Sequence, residues 1–305
     1  MPIDPGSIAQ VFSDHWPQVV FGYAILRDAA KPVAKYLRDH YRHASPETLK
    51  EAAANSSGFA HRFEQQVVAL RVAGLVTDEQ MRSALESPAF AQALQRAFVD
   101  GSETASEFRH EQLARLVAMQ LTGDGESFQS VALRMAAERM KYLTDRQLRE
   151  LGLMFAVVYT ECTEDVNDTR TAEEQFRQYA RECEEILEPF DGVEPLRLDV
   201  QHMEGLSLLS IAPFAVNLFA GYNSSQETQS PMLRPMAIRF NGLLKPIGTL
   251  DAPPVVGRLY SLMDGKDKSD VVALRGVKLF PPGYLIGYTV YSNLHHTTMA
   301  LYEFD

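Results

Sequence analysis

Cysteine is nearly absent from this 305-residue chain. The two present, Cys162 and Cys183, lie too far apart for a redox C-x-x-C pair and lack the companions of a zinc pattern. A disulfide scaffold is therefore excluded, and two reduced thiols fit a cytosolic protein. Positive charge is also short, with 29 Lys and Arg against 40 Asp and Glu and a net charge of -11. That balance keeps the chain soluble and argues against general binding to nucleic acid backbones. The opening residues, MPIDPGSIAQVF, carry an acid and two prolines where a secretory signal has basic residues and an apolar run. A cytoplasmic location is the expectation.

Catalytic and cofactor motifs are lacking as well. No glycine-rich loop closes on G-K-[ST]; the nearest run, GLLKPIGTL, sets Lys245 between Gly242 and Gly248 and reads as a turn. Gly205 and Ser207 begin a G-x-S-x-G elbow, but Leu209 stands at the second glycine. In DVNDTRTAEEQF, Asp165, Asn167 and Thr169 alternate like a calcium loop, yet Arg170 replaces the turn glycine and Phe176 the bidentate acid. His110-Glu111 lacks the second histidine of H-E-x-x-H, since Ala114 occupies its place, and the neighbours His295 and His296 point apart on any regular element. No catalytic residue, cofactor site or metal site is expected from these patterns. A catalytic reading would need distant groups such as His110, His202 or His295 to converge with acids in one pocket.

What the chain does have is helical punctuation. Ser45-Pro46-Glu47 and Ser87-Pro88 each put a capping hydroxyl before a proline suited to a first helical position. Thr77 with Gln80, Thr104 with Glu107, Thr144 with Gln147 and Thr171 with Glu174 have capping-box spacing. Leu113, Leu116, Val117, Gln120 and Leu121 form one core stripe, and Leu148, Leu151, Gly152, Phe155 and Val158 another. Gly74, Gly101 and the Gly123 to Gly125 pair fall where helices should stop. Most of the 16 prolines fall between Pro189 and Pro282, so elements there should be short. A short helix is expected over Val255 to Met263, and strands over 271–280 and 297–304, while 281–293 suits either form. The fold class expected is mainly α: an N-terminal helical bundle over residues 1–190 and a smaller proline-rich α+β part over 191–305.

One stretch, GLSLLSIAPFAVNLFAGYNSSQ between Glu204 and Glu227, holds no formal charge and is long enough to span a bilayer. Pro213 and Asn217 would break or burden a spanning helix, and no Lys or Arg cluster flanks it. It reads first as a kinked core segment, two short helices broken at Pro213. The alternative is a membrane-seeking segment over 205–222.

Charge is patterned at two places. Arg27, Lys31, Lys35, Arg38 and Arg42 recur at helical spacing along one face. Residues 161–194 carry twelve acids, among them Glu173, Glu174, Glu184 and Glu185, against three arginines. Each run is either a solvated face or a contact surface. The partners that fit are a protein or a second copy of the chain, ahead of a nucleic acid or an anionic membrane.

The order SPAFAQALQRAFVDGS, EQLARLVAMQL and SVALRMAAERMKYLTDRQLRELGLMFAVVYT resembles a family of uncharacterised bacterial helical proteins near the abortive-infection alpha (Abi-alpha) type. DVQHMEGLSLLSI and LFPPGYLIGY are similar to two later pieces of that family. A departure is Leu206 after Gly205, where the family often has cysteine. The resemblance implies a bacterial cytoplasmic protein from a defence setting, without an assigned reaction. The function expected is a non-enzymatic interaction or sensing component of antiviral defence acting through protein contacts. A membrane-perturbing effector and an enzyme with an unfamiliar site are the alternatives.

Overall fold

The computed structural model describes residues 35, 37, 39–123, 125–162, 172–211, 234–235, 254–264, 270–274 and 277–296. The chain is mainly helical, with ten α-helices and four short strands among the described residues. It divides into two compact units, residues 1–145 with 297–305 and residues 146–296. The helix that follows residue 145 packs its glycine face on the last of the described helices, as set out below.

The first unit is a helical bundle of α1 (Pro46–Val72), α2 (Asp78–Glu86), α3 (Pro88–Ser102), α4 (Glu107–Met119) and α5 (Phe128–Met140). Its helices start on capping hydroxyls except α3, where Ser87 makes no side-chain bond to the helix. The Ser45 hydroxyl accepts from the Thr48 amide at 3.2 Å, and Thr77 with Gln80 closes a full capping box at the head of α2. Thr104 does not cap α4. Ser106 takes that role, its hydroxyl accepting from the Arg109 amide, while the Thr104 hydroxyl accepts from the Ser106 amide in the preceding turn. At the end of α1, Gly74 adopts φ +71° and lets the Leu75 amide reach back to the Leu70 carbonyl at 2.9 Å.

The bundle core lies where α1 packs on α3 and α4. Phe59 meets Phe98 edge to face at 4.9 Å and stacks towards Phe63, all three buried. Gly101 is the penultimate residue of α3, at a helix end as its position leads one to expect. A Cβ there would sit 2.9 Å from Phe59 Cβ, so glycine is what allows the two helices their approach. The stripe Leu113, Leu116, Val117, Gln120 and Leu121 is buried throughout, as its spacing predicts.

The second unit contains α6 (Asp145–Tyr159, whose first residue belongs to the first unit), α7 (Ala172–Leu187), α8 (Arg197–Gly205), α9 (Pro254–Asp264) and α10 (Pro281–Leu294). Two glycines make the α6–α10 contact possible. A Cβ on Gly152 would stand 2.4 Å from Val290 Cγ1, and one on Gly287 would stand 2.7 Å from the Leu151 carbonyl oxygen. Phe155 then packs among Tyr284, Tyr288 and Tyr291, with centroids 5.0 to 5.5 Å away. Segment 281–293, which suits helix or strand by sequence, is helix because Pro281 and Pro282 occupy its first turn.

The strands are minimal: β1 (Glu161–Cys162) pairs antiparallel with β3 (Arg234–Pro235), and β2 (Leu209–Ile211) with β4 (Val277–Leu279). Of the strand expected over 271–280, β4 is the regular part, and Val271 adds one bridge to Leu196. The neutral stretch departs from the helical expectation at its start. Ser207 turns left-handed at φ 55°, and the chain enters β2, with Leu208 and Leu209 wholly buried. Gly283 accommodates this crossing, since a Cβ there would lie 2.0 Å from the Leu208 carbonyl oxygen. The rest of that stretch, with Pro213, and the strand expected over 297–304 lie outside the described residues. Among the described residues no helix is long and apolar enough to cross a membrane.

Candidate functional site

The most unusual chemistry in the described structure is a carboxylate cluster between α6 and α8. Arg146, Gln147 and Glu150 stand within the first two turns of α6, where spacing of one turn brings Arg146 and Glu150 together. Asp199 and His202, three apart on α8, come to the same place. Arg146 Nε donates to Glu150 Oε1 at 3.0 Å and lies 3.4 Å from Asp199 Oδ2. Gln147 Nε2 donates to Asp199 Oδ1 at 2.9 Å and lies 3.0 Å from His202 Nδ1.

Glu150 is wholly buried, and its Oε2 has no hydrogen-bond partner. Burial pushes its carboxyl up to about 7, the Arg146 hydrogen bond pulls it back, and the charge of Asp199 lifts it further. The group therefore exchanges a proton near neutral pH. Asp199 and His202 sit nearer the surface, so the cluster grades from a sealed acid to an exposed imidazole. The arrangement can bind and release one proton. It does not gather a metal: no group of three or more His, Cys, Asp or Glu suited to an ion occurs among the described residues.

The other histidines named by sequence serve structure. His110 is buried in the first unit, its Nε2 2.9 Å from the Gly101 carbonyl oxygen. His295 lies on the second unit with Nε2 3.2 Å from the Ile186 carbonyl oxygen, and burial lowers its pKa. His202 joins the cluster through Gln147, which also donates to Asp199. A second perturbed acid, Asp100 on α3, is pushed up to about 6 by burial, with Lys141 opposing and Glu103 and Glu138 adding to the rise. It borders a cavity of about 30 Å³.

The charged runs are placed in part. Lys35 is exposed, and Arg42 is exposed with its guanidinium 3.8 Å from Asp39; Arg27, Lys31 and Arg38 lie outside the described residues. Glu174, Glu184 and Glu185 are exposed on α7, and Glu173 belongs to the same helix. Motif reading passed over Glu150 and Asp199. A signal was present: the apolar run LGLMFAVV follows Glu150 directly, so a helix buried all round must bury that acid too.

The model of one uncharacterised family matches residues 26–221, well over half of the chain. No curated protein and no solved structure matches it.

Proposed function

The chain belongs to that uncharacterised family, and we propose that it is a cytoplasmic, non-enzymatic interaction or sensing component of bacterial antiviral defence that acts through protein contacts and self-association. The defence setting rests on the resemblance to proteins near the abortive-infection alpha type. The mode of action rests on one observation in the first unit. While α5 buries Ala132, Leu133, Ala136, Ala137 and Met140, its opposite side leaves Phe128 64%, Val131 38% and Met135 39% exposed, and Tyr142 follows beyond the helix end at 56%. Large apolar groups in a row on one face favour a protein partner over open solvent.

That face suits a second copy of itself. Phe128 and Tyr142 are equally far along the chain from Met135. A two-fold axis through Met135 therefore sets Phe128 of one copy against Tyr142 of the other and Met135 against Met135. The charges agree with this antiparallel arrangement. Glu126 lies at one end of the face and Lys141 at the other, so each end meets its opposite sign. Lys141 also covers the Tyr142 ring at 5.0 Å.

Light-scattering mass across a concentration series tests the reading. The native chain should form dimers, Met135→Glu should be monomeric with an unchanged circular dichroism spectrum, and Lys141→Glu should be rescued by adding Glu126→Lys. A native chain that stays monomeric at tens of micromolar, roughly the range of weak dimers, removes self-association. Plaque counts unaltered by the chain across a broad phage panel remove the defence setting.

A further inference from the structure

The short helix α8 has little apolar hold on the second unit. Val200 and Met203 are its buried residues, while Arg197, Leu198, Gln201, His202 and Glu204 are exposed. Its entry is tied by the Arg197 amide, which donates to the Asp270 carbonyl at 2.7 Å, and its exit turns through Ser207 at φ 55° into β2. Between these two points α6 reaches it with polar groups, the Arg146 guanidinium towards Asp199 and the Gln147 amide towards Asp199 and His202. We infer that Glu150 and Asp199 are a proton-sharing carboxyl pair that latches α8 to α6, and that loss of the shared proton loosens α8.

The geometry suits one negative charge better than two. Arg146 Nε lies 3.0 Å from Glu150 Oε1 and 3.4 Å from Asp199 Oδ2, so two carboxyls share one guanidinium. Glu150 is wholly buried, its Oε2 meets no partner, and Asp199 lies within hydrogen-bonding reach of its carboxyl. With a proton on Oε2, Glu150 becomes a donor and Asp199 its acceptor. Oε1 still accepts from Arg146, and Asp199 Oδ1 still accepts from Gln147. One carboxylate then stands against one guanidinium. Without that proton, two anions face each other beside a single cation, and one of them keeps an oxygen sealed from water.

This repulsion acts between helices, because one acid belongs to α6 and the other to α8. The charged groups facing Glu150 are Arg146 from its own helix and Asp199 from α8, with His202 of α8 one amide away on Gln147. Farther along α6, Val290 of α10 and Phe190 meet Gly152 with apolar atoms. Burial and Asp199 raise the latched carboxyl to about 7, against 4.5 for the free side chain. The latch is therefore complete below about 4.5, weakens as pH rises, and is lost above about 7. Release brings Val200 and Met203 towards water beside Leu198, which is already 79% exposed, and so presents an apolar face that the latched helix hides.

Hydrogen exchange of the full chain, read by mass spectrometry from pH 5 to pH 8 and corrected for intrinsic rates, tests this. Protection of the α8 amides should fall by about tenfold or more over that range. At pH 8 they should exchange through an opening that low urea does not promote, whereas α10 amides should need urea-dependent unfolding. Glu150→Gln, which cannot lose the proton, should hold α8 protection within about threefold across the range, and Asp199→Asn should show a smaller fall than the native chain. A native pH dependence retained in Glu150→Gln or in Asp199→Asn would overturn the inference. So would one protection and one urea dependence common to α8 and α10, which would mean unfolding of the whole unit. Exchange is read per chain, apart from the question of self-association through α5.

Discussion

Arg146 reaches the buried Glu150 on one side, Nε to Oε1 at 3.0 Å, and leaves Oε2 without a partner. The pairing is therefore half complete: one oxygen is compensated and the other is sealed away from water. Protonation relieves this, because an acid without charge loses little by burial. Asp199, carrying like charge beside the pair, pushes in the same direction.

A pH dependence follows, and its sign is fixed. The folded carboxyl titrates at about 7 against 4.5 for the free side chain, so the folded state holds more protons between those values. Stability is fully present below about 4.5 and falls as pH rises through 7, by roughly 3 kcal/mol for a shift of this size. Urea unfolding of Glu150→Gln at pH 5 and pH 8 should show a shallower slope than the native chain. An equal slope in both would show that Glu150 is not the group responsible. Asp100, raised to about 6 by burial, contributes in the same direction and remains in the variant.

Close packing at the glycines predicts a steep contrast between two substitutions. Gly283→Ala forces a methyl to 2.0 Å from the Leu208 carbonyl oxygen, whereas Gly205→Ala meets nothing within 4 Å. The first should cost about 3 kcal/mol or prevent folding of the second unit, and the second should be near neutral. Thermal unfolding followed by far-ultraviolet dichroism distinguishes them; similar midpoints would refute the close approach of α10 to β2.

Helix caps offer a milder comparison. Thr77→Ala removes the hydroxyl half of the box at α2, leaving the backbone amide at 77 to donate to Gln80 Oε1, and should cost about 1 kcal/mol. Ser87→Ala removes a side chain that caps nothing and should cost almost none. Denaturant midpoints of the two variants measure the difference directly.

Gln112 on α4 is buried with neither amide atom hydrogen-bonded. Replacing it by Met keeps the volume and removes two unsatisfied groups, so stability should rise by about 1 kcal/mol or more. A loss of stability in Gln112→Met would mean that the amide has a partner in solution, such as a buried water.

Legibility differed by the range of the interactions concerned. Ser45 and Thr77 announced their helices because a cap involves atoms three residues apart, and sequence displays that spacing openly. Thr104 was a near miss for the same reason, since Ser106 offered a competing hydroxyl two residues on. Gly101 and Gly152 were harder. The helix end at Gly101 and the core position of Gly152 are present as expected, but local spacing carries no sign that each also admits a side chain from another helix, Phe59 in one case and Val290 in the other. The neutral stretch misled because Leu209 and Ile211 are as apolar as any helix core, while their strand state depends on β4, nearly seventy residues later.

The sequence alone determined a helical protein: periodic apolar residues, capping hydroxyls and prolines act within one or two turns, and their meaning does not wait for a partner. Tertiary structure decided the rest. It joined α6 to α10 and drew the head of the neutral stretch into a strand. It also made Glu150 an acid of near-neutral pKa. The physical reason is that burial, close approach and the mutual field of charges belong to pairs of distant residues, and no local pattern carries them.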